Sequence, residues 1–91
     1  MKSIMQDRDD GCLICSSPYT EEHHVFFGTA NRKLSDKYGL LVYLCAEHHR
    51  GQNGVHFDKK LDDCLKKAAQ IRFEETYPDK DFRQIFGRNY K

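Results

Sequence analysis

Two short stretches decide the fold: GCLIC at residues 11–15 and LCAEHH at residues 44–49. Each contains two potential metal ligands separated by two residues. Two soft ligands at this spacing form a knuckle that points both side chains at one ion, and two knuckles supply the four ligands of a tetrahedral zinc site. The spacing therefore predicts one structural zinc, with the ligands Cys12, Cys15, Cys45 and His48.

The size of the chain favours such a metal staple. Its 91 residues are enough for a single domain spanning residues 1–91. A domain this small buries only about 60% of the surface that its unfolded chain exposes, whereas a structural zinc supplies on the order of 10 kcal/mol. Two alternatives stay open: His49 replaces His48 as the fourth ligand, or the cysteines are simply small buried residues.

The sequence lacks the features of a membrane or exported protein. No apolar run reaches the roughly 18 residues that a membrane span needs, and the N-terminus MKSIMQDRDDG has no apolar signal segment. We therefore expect a cytoplasmic protein without a membrane partner, in which cysteines bind metal rather than form disulfides. The net charge of +1 gives no global positive field, so a nucleic-acid contact would need a local patch.

The rest of the first sixty residues predicts short elements of a small α+β domain. HHVFF at 23–27 and LLVYL at 40–44 are expected to be paired strands, because each is an apolar run too short for an ordinary helix and bordered by glycine. The polar segment 29–39 is expected to be a connecting loop, with a single helical turn as the alternative, and residues 1–10 to lack order. A short helical turn is expected through His48 and the residue after it.

The C-terminal part predicts a helical extension over residues 58–86. Asp58 is a candidate N-cap, and apolar residues at spacings of three and four continue to Tyr77. A second, short helix is expected to end before Gly87. Cys64, near the apolar face of the long helix, is expected to be a core thiol rather than a ligand.

All five histidines lie between residues 23 and 56, and four remain once zinc has taken one. Neighbouring side chains of a strand point to opposite faces, so His23 and His24 share a site only if the strand ends or bends there. A neutral imidazole can take a proton from water near neutral pH, and further imidazoles can hold a divalent ion. Any one histidine alone is better explained by solvation or by an ordinary hydrogen bond, but four of them clustered around a zinc-stapled scaffold favour a metal-dependent hydrolytic centre.

The combined pattern resembles the HNH endonucleases of the ββα-metal, or His-Me finger, class, and within it the compact phage and prophage nucleases associated with recombination. The resemblance covers the motif core, residues 12–56. It implies a zinc-stapled ββα-metal fold that hydrolyses phosphodiester bonds of DNA. It also implies a recombination or DNA-processing protein as a further partner, and the host cytoplasm as the location of a phage-encoded chain.

The resemblance gives the matching residues their roles. His24 aligns with the general base, and His23 and His49 align with ligands of a second, catalytic ion. The last motif position is Asn53, but His56 is chemically the stronger ligand and we favour it. The ion itself is left open among Mg²⁺, Mn²⁺, Zn²⁺ and Ni²⁺. The implied catalytic residues are His23, His24, His49, Asn53 and His56.

Contacts to DNA are less strongly indicated. Arg50 follows His49 directly, and Arg32 and Lys33 lie in the segment between the strands, where they would contact phosphates. So few cations predict weak affinity for isolated DNA, and hence dependence on a partner protein or on a special DNA structure. No small-molecule cofactor is expected.

Two other functions fit parts of the pattern. One is a non-catalytic zinc module that recognises nucleic acid or protein, in which the histidines complete a second structural zinc. The other is a metal-storage or redox-sensing protein. The adjacent pair His23 and His24 favours the nuclease, because an interaction module needs no base beside a ligand.

Overall fold

The computed structural model describes residues 3–52 and 54–91, which form an α+β structure around one two-stranded antiparallel sheet. The predicted class, a small α+β protein with a long helix and a short terminal helix, is confirmed. Within the described ranges, no helix is both long and apolar enough to cross a membrane. The elements in chain order are a 3₁₀ helix (Arg8–Asp10), β1 (Glu21–His24), α1 (Thr29–Tyr38), β2 (Leu41–Leu44), α2 (Ala46–Arg50), α3 (Lys59–Thr76) and α4 (Phe82–Phe86).

The sheet pairs β1 with β2, with His23 opposite Val42 and His24 opposite Leu41. β2 lies where it was expected, and all four of its residues are buried. β1 begins two residues earlier than predicted, because the polar Glu21 and its neighbour also pair with the end of β2. The strand ends at His24, after which Val25 and Phe26 are buried in the core, with Phe26 1% exposed.

The expectation of a loop over residues 29–39 was wrong, since most of this segment is the ten-residue helix α1. Gly39 adopts a left-handed conformation at its C-terminal cap. The fully buried Ser35 fixes α1 to the end of β1, because its Oγ donates to the carbonyl of Phe26 at 2.8 Å and accepts from the same residue's N–H at 3.2 Å. The helix has few apolar residues, with Ala30, Leu34 and Tyr38 at spacings of four, and the buried Ser35 beside them is polar, so the composition of the segment is that of a loop.

The two C-terminal helices agree with the prediction and cover the sheet. Asp58 caps α3, its side chain accepting a hydrogen bond from the N–H of Leu61 at 3.1 Å. α3 and α4 contribute a packed aromatic group in which the Phe26 ring lies 4.8 Å from that of Phe86. Cys64 is exposed, so the expectation of a core thiol was wrong. The buried face of α3 consists of Leu65, Ala69, Gln70 and Phe73.

The N-terminal segment is ordered where it is described, from residue 3 onward, contrary to expectation. The N–H of Ile4 donates to the carbonyl of Gly39 at 2.9 Å. The Gln6 side chain accepts from the N–H of Tyr43 at 2.8 Å and donates to the carbonyl of Gly11 at 2.6 Å. This segment therefore provides a hydrogen-bond partner for the outer edge of β2 and leads directly into the first cysteine knuckle.

Candidate metal centres

The first knuckle is a tight turn attached to β2. The N–H of Ser16 donates to the carbonyl of Cys12, and the N–H of Cys12 donates to the carbonyl of Ser17, both at 2.8 Å. The N–H of Leu13 donates to the carbonyl of Tyr43 at 2.8 Å. These bonds hold both thiols of the turn beside the end of β2, where Cys45 follows.

The second knuckle is the start of α2. Cys45 occupies the N-cap position, and His48 lies one helical turn further on the same side. Successive helical residues are rotated by about 100°, so His49 points elsewhere. The helix therefore separates these two neighbouring histidines into two different clusters.

Four ligand atoms converge between the knuckles, all within 4.8 Å of one another. Cys15 Sγ and Cys45 Sγ are 3.7 Å apart. His48 Nδ1 lies 3.2 Å from Cys45 Sγ and 3.7 Å from Cys12 Sγ. Bonds of about 2.0 Å to nitrogen and 2.3 Å to sulfur give tetrahedral edges of roughly 3.5–3.8 Å. The four residues are thus close enough to bind one metal ion, as a structural zinc requires, and His48 rather than His49 completes the set.

The electrostatics of the knuckle favour a thiolate at Cys12. Burial raises the pKa of this thiol, but hydrogen bonds from the backbone N–H groups of Cys45, Cys15 and Ile14 outweigh burial and leave the pKa at about 6. Thiolates, not thiols, are metal ligands. The first cysteine is therefore prepared for metal binding near neutral pH.

A second cluster, the His trio, consists of His23 on β1, His49 on α2 and His56 in the following loop. Their ligand nitrogens lie within 4.8 Å of one another. The ring centroids are 5.1, 5.1 and 5.0 Å apart, an almost equilateral arrangement. Three imidazoles bound to one tetrahedral ion at about 2.0 Å would hold their centroids roughly 5 Å apart, so the trio has the dimensions of a three-histidine metal site.

The buried member of the trio has an unsatisfied nitrogen. His23 is 2% exposed, and its Nε2 has no hydrogen-bond partner among the described residues. Burial, with the neighbouring His49 and His56, lowers the pKa of this imidazole to about 3. Buried polar atoms are normally bonded. An uncharged nitrogen without a partner, facing two other imidazoles, fits a metal ligand.

Glu21 orients a second member of the trio. Its Oε1 accepts a hydrogen bond from His49 Nδ1 at 2.7 Å, which leaves Nε2 of that ring available to an ion. The same carboxylate binds Arg50, with Nη2 to Oε2 at 2.7 Å. Glu21 was not among the predicted site residues. It precedes His23 by two positions, so the alternation of a strand places both side chains on the same face of β1.

The loop after α2 brings the third histidine into place. Gly54 lies so close to α2 that a Cβ there would be 2.8 Å from the carbonyl oxygen of Glu47. The next residue, Val55, donates its N–H to the carbonyl of His48 at 2.9 Å. The chain thus folds back onto the helix and places His56 beside His49.

His24 lies on the other face of β1, as strand alternation requires. Its Nε2 is 2.8 Å from Asp36 Oδ1 on α1 and 4.0 Å from Glu22 Oε1. The described ligand atoms therefore form three groups, and His24 belongs to the third, with Glu22 and Asp36. Asp36, in the segment expected to be a loop, is a second residue that sequence analysis missed.

The remaining candidate residues are less closely associated with the clusters. Arg50 is engaged by Glu21, whereas Arg32 and Lys33 lie on the exposed surface of α1. Asn53, the alternative last motif position, lies outside the described residues.

Comparisons of the chain with protein-family models, with curated proteins and with solved structures found no match.

Removal of the Glu21 side chain should weaken the His trio as a metal site. We expect Glu21→Ala to lower its affinity for a divalent ion about 10–100-fold, because His49 loses the acceptor that orients its ring. Calorimetric titration with Co²⁺, on protein whose cysteine site already holds zinc, measures this affinity. The matched control is Glu22→Ala on the opposite face of β1, and equal affinities in the two variants would contradict the orienting role.

Proposed function

We propose that the protein is a metal-dependent endonuclease of the HNH type that hydrolyses phosphodiester bonds of DNA. The observation that carries the proposal is the His trio, with the unsatisfied Nε2 of His23, directly beside a cluster suited to structural zinc. The order is β1, α1, β2, α2, so a helix connects the two paired strands; the pairing of β1 with β2, followed directly by α2, with ligands on β1 and α2, supports a ββα-metal arrangement. The motif resemblance extends the proposal to phage or prophage DNA processing in the host cytoplasm.

The donor set suits a catalytic rather than a structural ion. Structural zinc is usually closed by four protein ligands, whereas catalytic sites keep a position open. The trio supplies three side chains among the described residues, and its member His56 is exposed. When bound, a divalent ion with open positions would polarise a phosphodiester and stabilise its leaving oxygen.

The proposed roles differ from residue to residue. His23 and His49 would hold the ion from a strand and a helix, and Glu21 would fix the ring of His49. His24, on the same strand, is the proposed general base: with its Nε2 hydrogen-bonded to Asp36, its Nδ1 would accept the proton of the attacking water. Because His24 lies on the opposite face of β1 from the trio, this role requires the phosphate and its attacking water to reach His24 across the strand.

Nicking of supercoiled plasmid tests the proposal. Zinc-loaded protein should nick the plasmid in Mg²⁺, Mn²⁺ or Ni²⁺ and should lose this activity in excess EDTA. A His49→Ala preparation, purified identically, controls for contaminating nucleases and should be inactive. Two bound zinc ions per chain, without cleavage of duplex or single-stranded DNA in any of these metals, would instead favour the non-catalytic zinc module.

A further inference from the structure

Two exposed phenylalanines lie next to the His trio, Phe27 by ring contact and Phe57 by its place in the sequence. The Phe27 ring centroid lies 5.4 Å from that of His56 and 6.2 Å from that of His23, yet Phe27 is 43% exposed. Phe57, the residue after His56, is 71% exposed. Apolar surface left uncovered beside a polar site commonly marks a binding surface.

The first of these rings is held in place by a cation. Lys66 Nζ lies 4.2 Å from the centroid of Phe27 and 2.9 Å from Asp62 Oδ2. A cation above an aromatic face is attracted to it, and the carboxylate fixes that cation. One side of the ring is therefore occupied, and the exposed remainder forms a positioned surface next to the trio.

Three basic side chains of this region are paired with carboxylates. Arg50 binds Glu21 at 2.7 Å, Lys66 binds Asp62 at 2.9 Å, and Lys59 binds Asp63 at 3.2 Å. Affinity for a DNA backbone grows with the number of phosphates that cations neutralise. Since these cations are matched by carboxylates and the net charge is only +1, backbone contacts alone give weak binding here.

We propose that the two rings bind a segment of unpaired DNA strand, whose bases stack on Phe27 and Phe57; this inference rests on the proposed function, because that function makes DNA the ligand. In a duplex the faces of the bases are covered by their neighbours, and only their edges are accessible in the grooves. Unpaired bases offer their faces, and aromatic side chains stack on them with little regard to sequence. The preferred substrate is thus single-stranded or locally unpaired DNA.

Fluorescence anisotropy on the full zinc-loaded chain tests this preference, in a His24→Ala background that keeps the DNA uncut. The probes are a labelled single-stranded oligonucleotide, the same sequence as a duplex, and an abasic strand of equal length. We expect Phe57→Ala to lower affinity for the single strand about 5- to 150-fold, the range measured for loss of one stacked base. Affinities for the duplex and the abasic strand should not change.

Two further variants separate stacking from general apolar contact. Phe57→Trp should keep the affinity for the single strand, whereas Phe57→Leu, which keeps apolar bulk without a ring, should lose most of it. The side chain is largely exposed, so unchanged thermal unfolding is expected for all three variants. The inference would be overturned if the protein with both phenylalanines bound single strand and duplex with equal affinity. It would also be overturned if Phe57→Ala lowered the affinity for the base-bearing strand and for the abasic strand equally.

The affinity measurement and the nicking assay test the two proposals separately. Plasmid nicking without a base-dependent affinity would leave the proposed nuclease intact and remove only the unpaired substrate. Base-dependent affinity without cleavage of any DNA would remove the nuclease and leave a single-strand binding protein.

Discussion

Replacement of Cys12 by serine is expected to release zinc and to leave the chain without a cooperative unfolding transition. A structural zinc contributes on the order of 10 kcal/mol, which is comparable to the entire 5–15 kcal/mol, roughly, by which small domains are stable. Cys12 is also 2% exposed within the core, so a hydroxyl there gains no water in exchange for the lost metal bond. Zinc content by mass spectrometry and thermal unfolding by circular dichroism measure both effects.

The fourth cysteine supplies the matched control. Cys64 is exposed on α3, so Cys64→Ser should change the free energy of unfolding by no more than about 0.5 kcal/mol. A chelator should unfold the wild-type chain as the Cys12 substitution does, and added zinc should refold it. A Cys12→Ser protein with one tightly bound zinc and a wild-type midpoint would show that the cysteine cluster does not stabilise the fold.

The cysteine cluster could be predicted because its geometry is local. Two residues between ligands are enough to form a knuckle, so the spacing predicts each of the two knuckles. Their meeting depends on β2, which holds the first knuckle through the N–H of Leu13 and ends at Cys45. The choice between His48 and His49 required the structure, since it depends on where α2 begins relative to β2. With Cys45 as the N-cap, His48 lies one helical turn away on the same side of α2, whereas His49 is rotated by about another 100°.

Helix α1 was missed because its apolar residues are few among polar ones, although Leu34 and Tyr38 lie one helical turn apart. Its buried residues are Ser35 and Tyr38, of which the first faces the core as a hydrogen-bonding group for Phe26. The N-terminal segment was missed for a related reason, since Gln6 contributes hydrogen bonds to a strand edge rather than apolar area. Polar residues with structural roles look like loop residues until their partners are known.

Apolar periodicity predicts α3 as a whole correctly and places one of its residues wrongly. Leu65, Ala69 and Phe73 define the centre of its buried face. Cys64 precedes Leu65 by one residue and is therefore rotated by about 100° from it, which places the thiol at the surface. Leu61, three residues before Cys64, is itself only partly buried, so it lies at the margin of the buried face.

Replacement of His24 by alanine is the other substitution with a large expected effect. If His24 is the general base, we expect the rate of plasmid nicking to fall about 10²–10⁴-fold. Zinc content and Co²⁺ affinity of the His trio should stay unchanged, because the His24 ring lies on the opposite face of β1 with Asp36. Free imidazole in the buffer should restore part of the rate, since a small base can occupy the vacated space.

The contact between His24 and Asp36 also offers a purely structural explanation, and a second variant separates the two. If the ring served only to attach α1 to β1, Asp36→Ala would break the same hydrogen bond and would affect nicking and stability as His24→Ala does. If the ring takes a proton from water, Asp36→Ala leaves the base present but less well oriented, so it should retain much more activity. Equal activity in the two variants, without rescue by imidazole, would assign the base to another residue and leave His24 as a structural link between strand and helix.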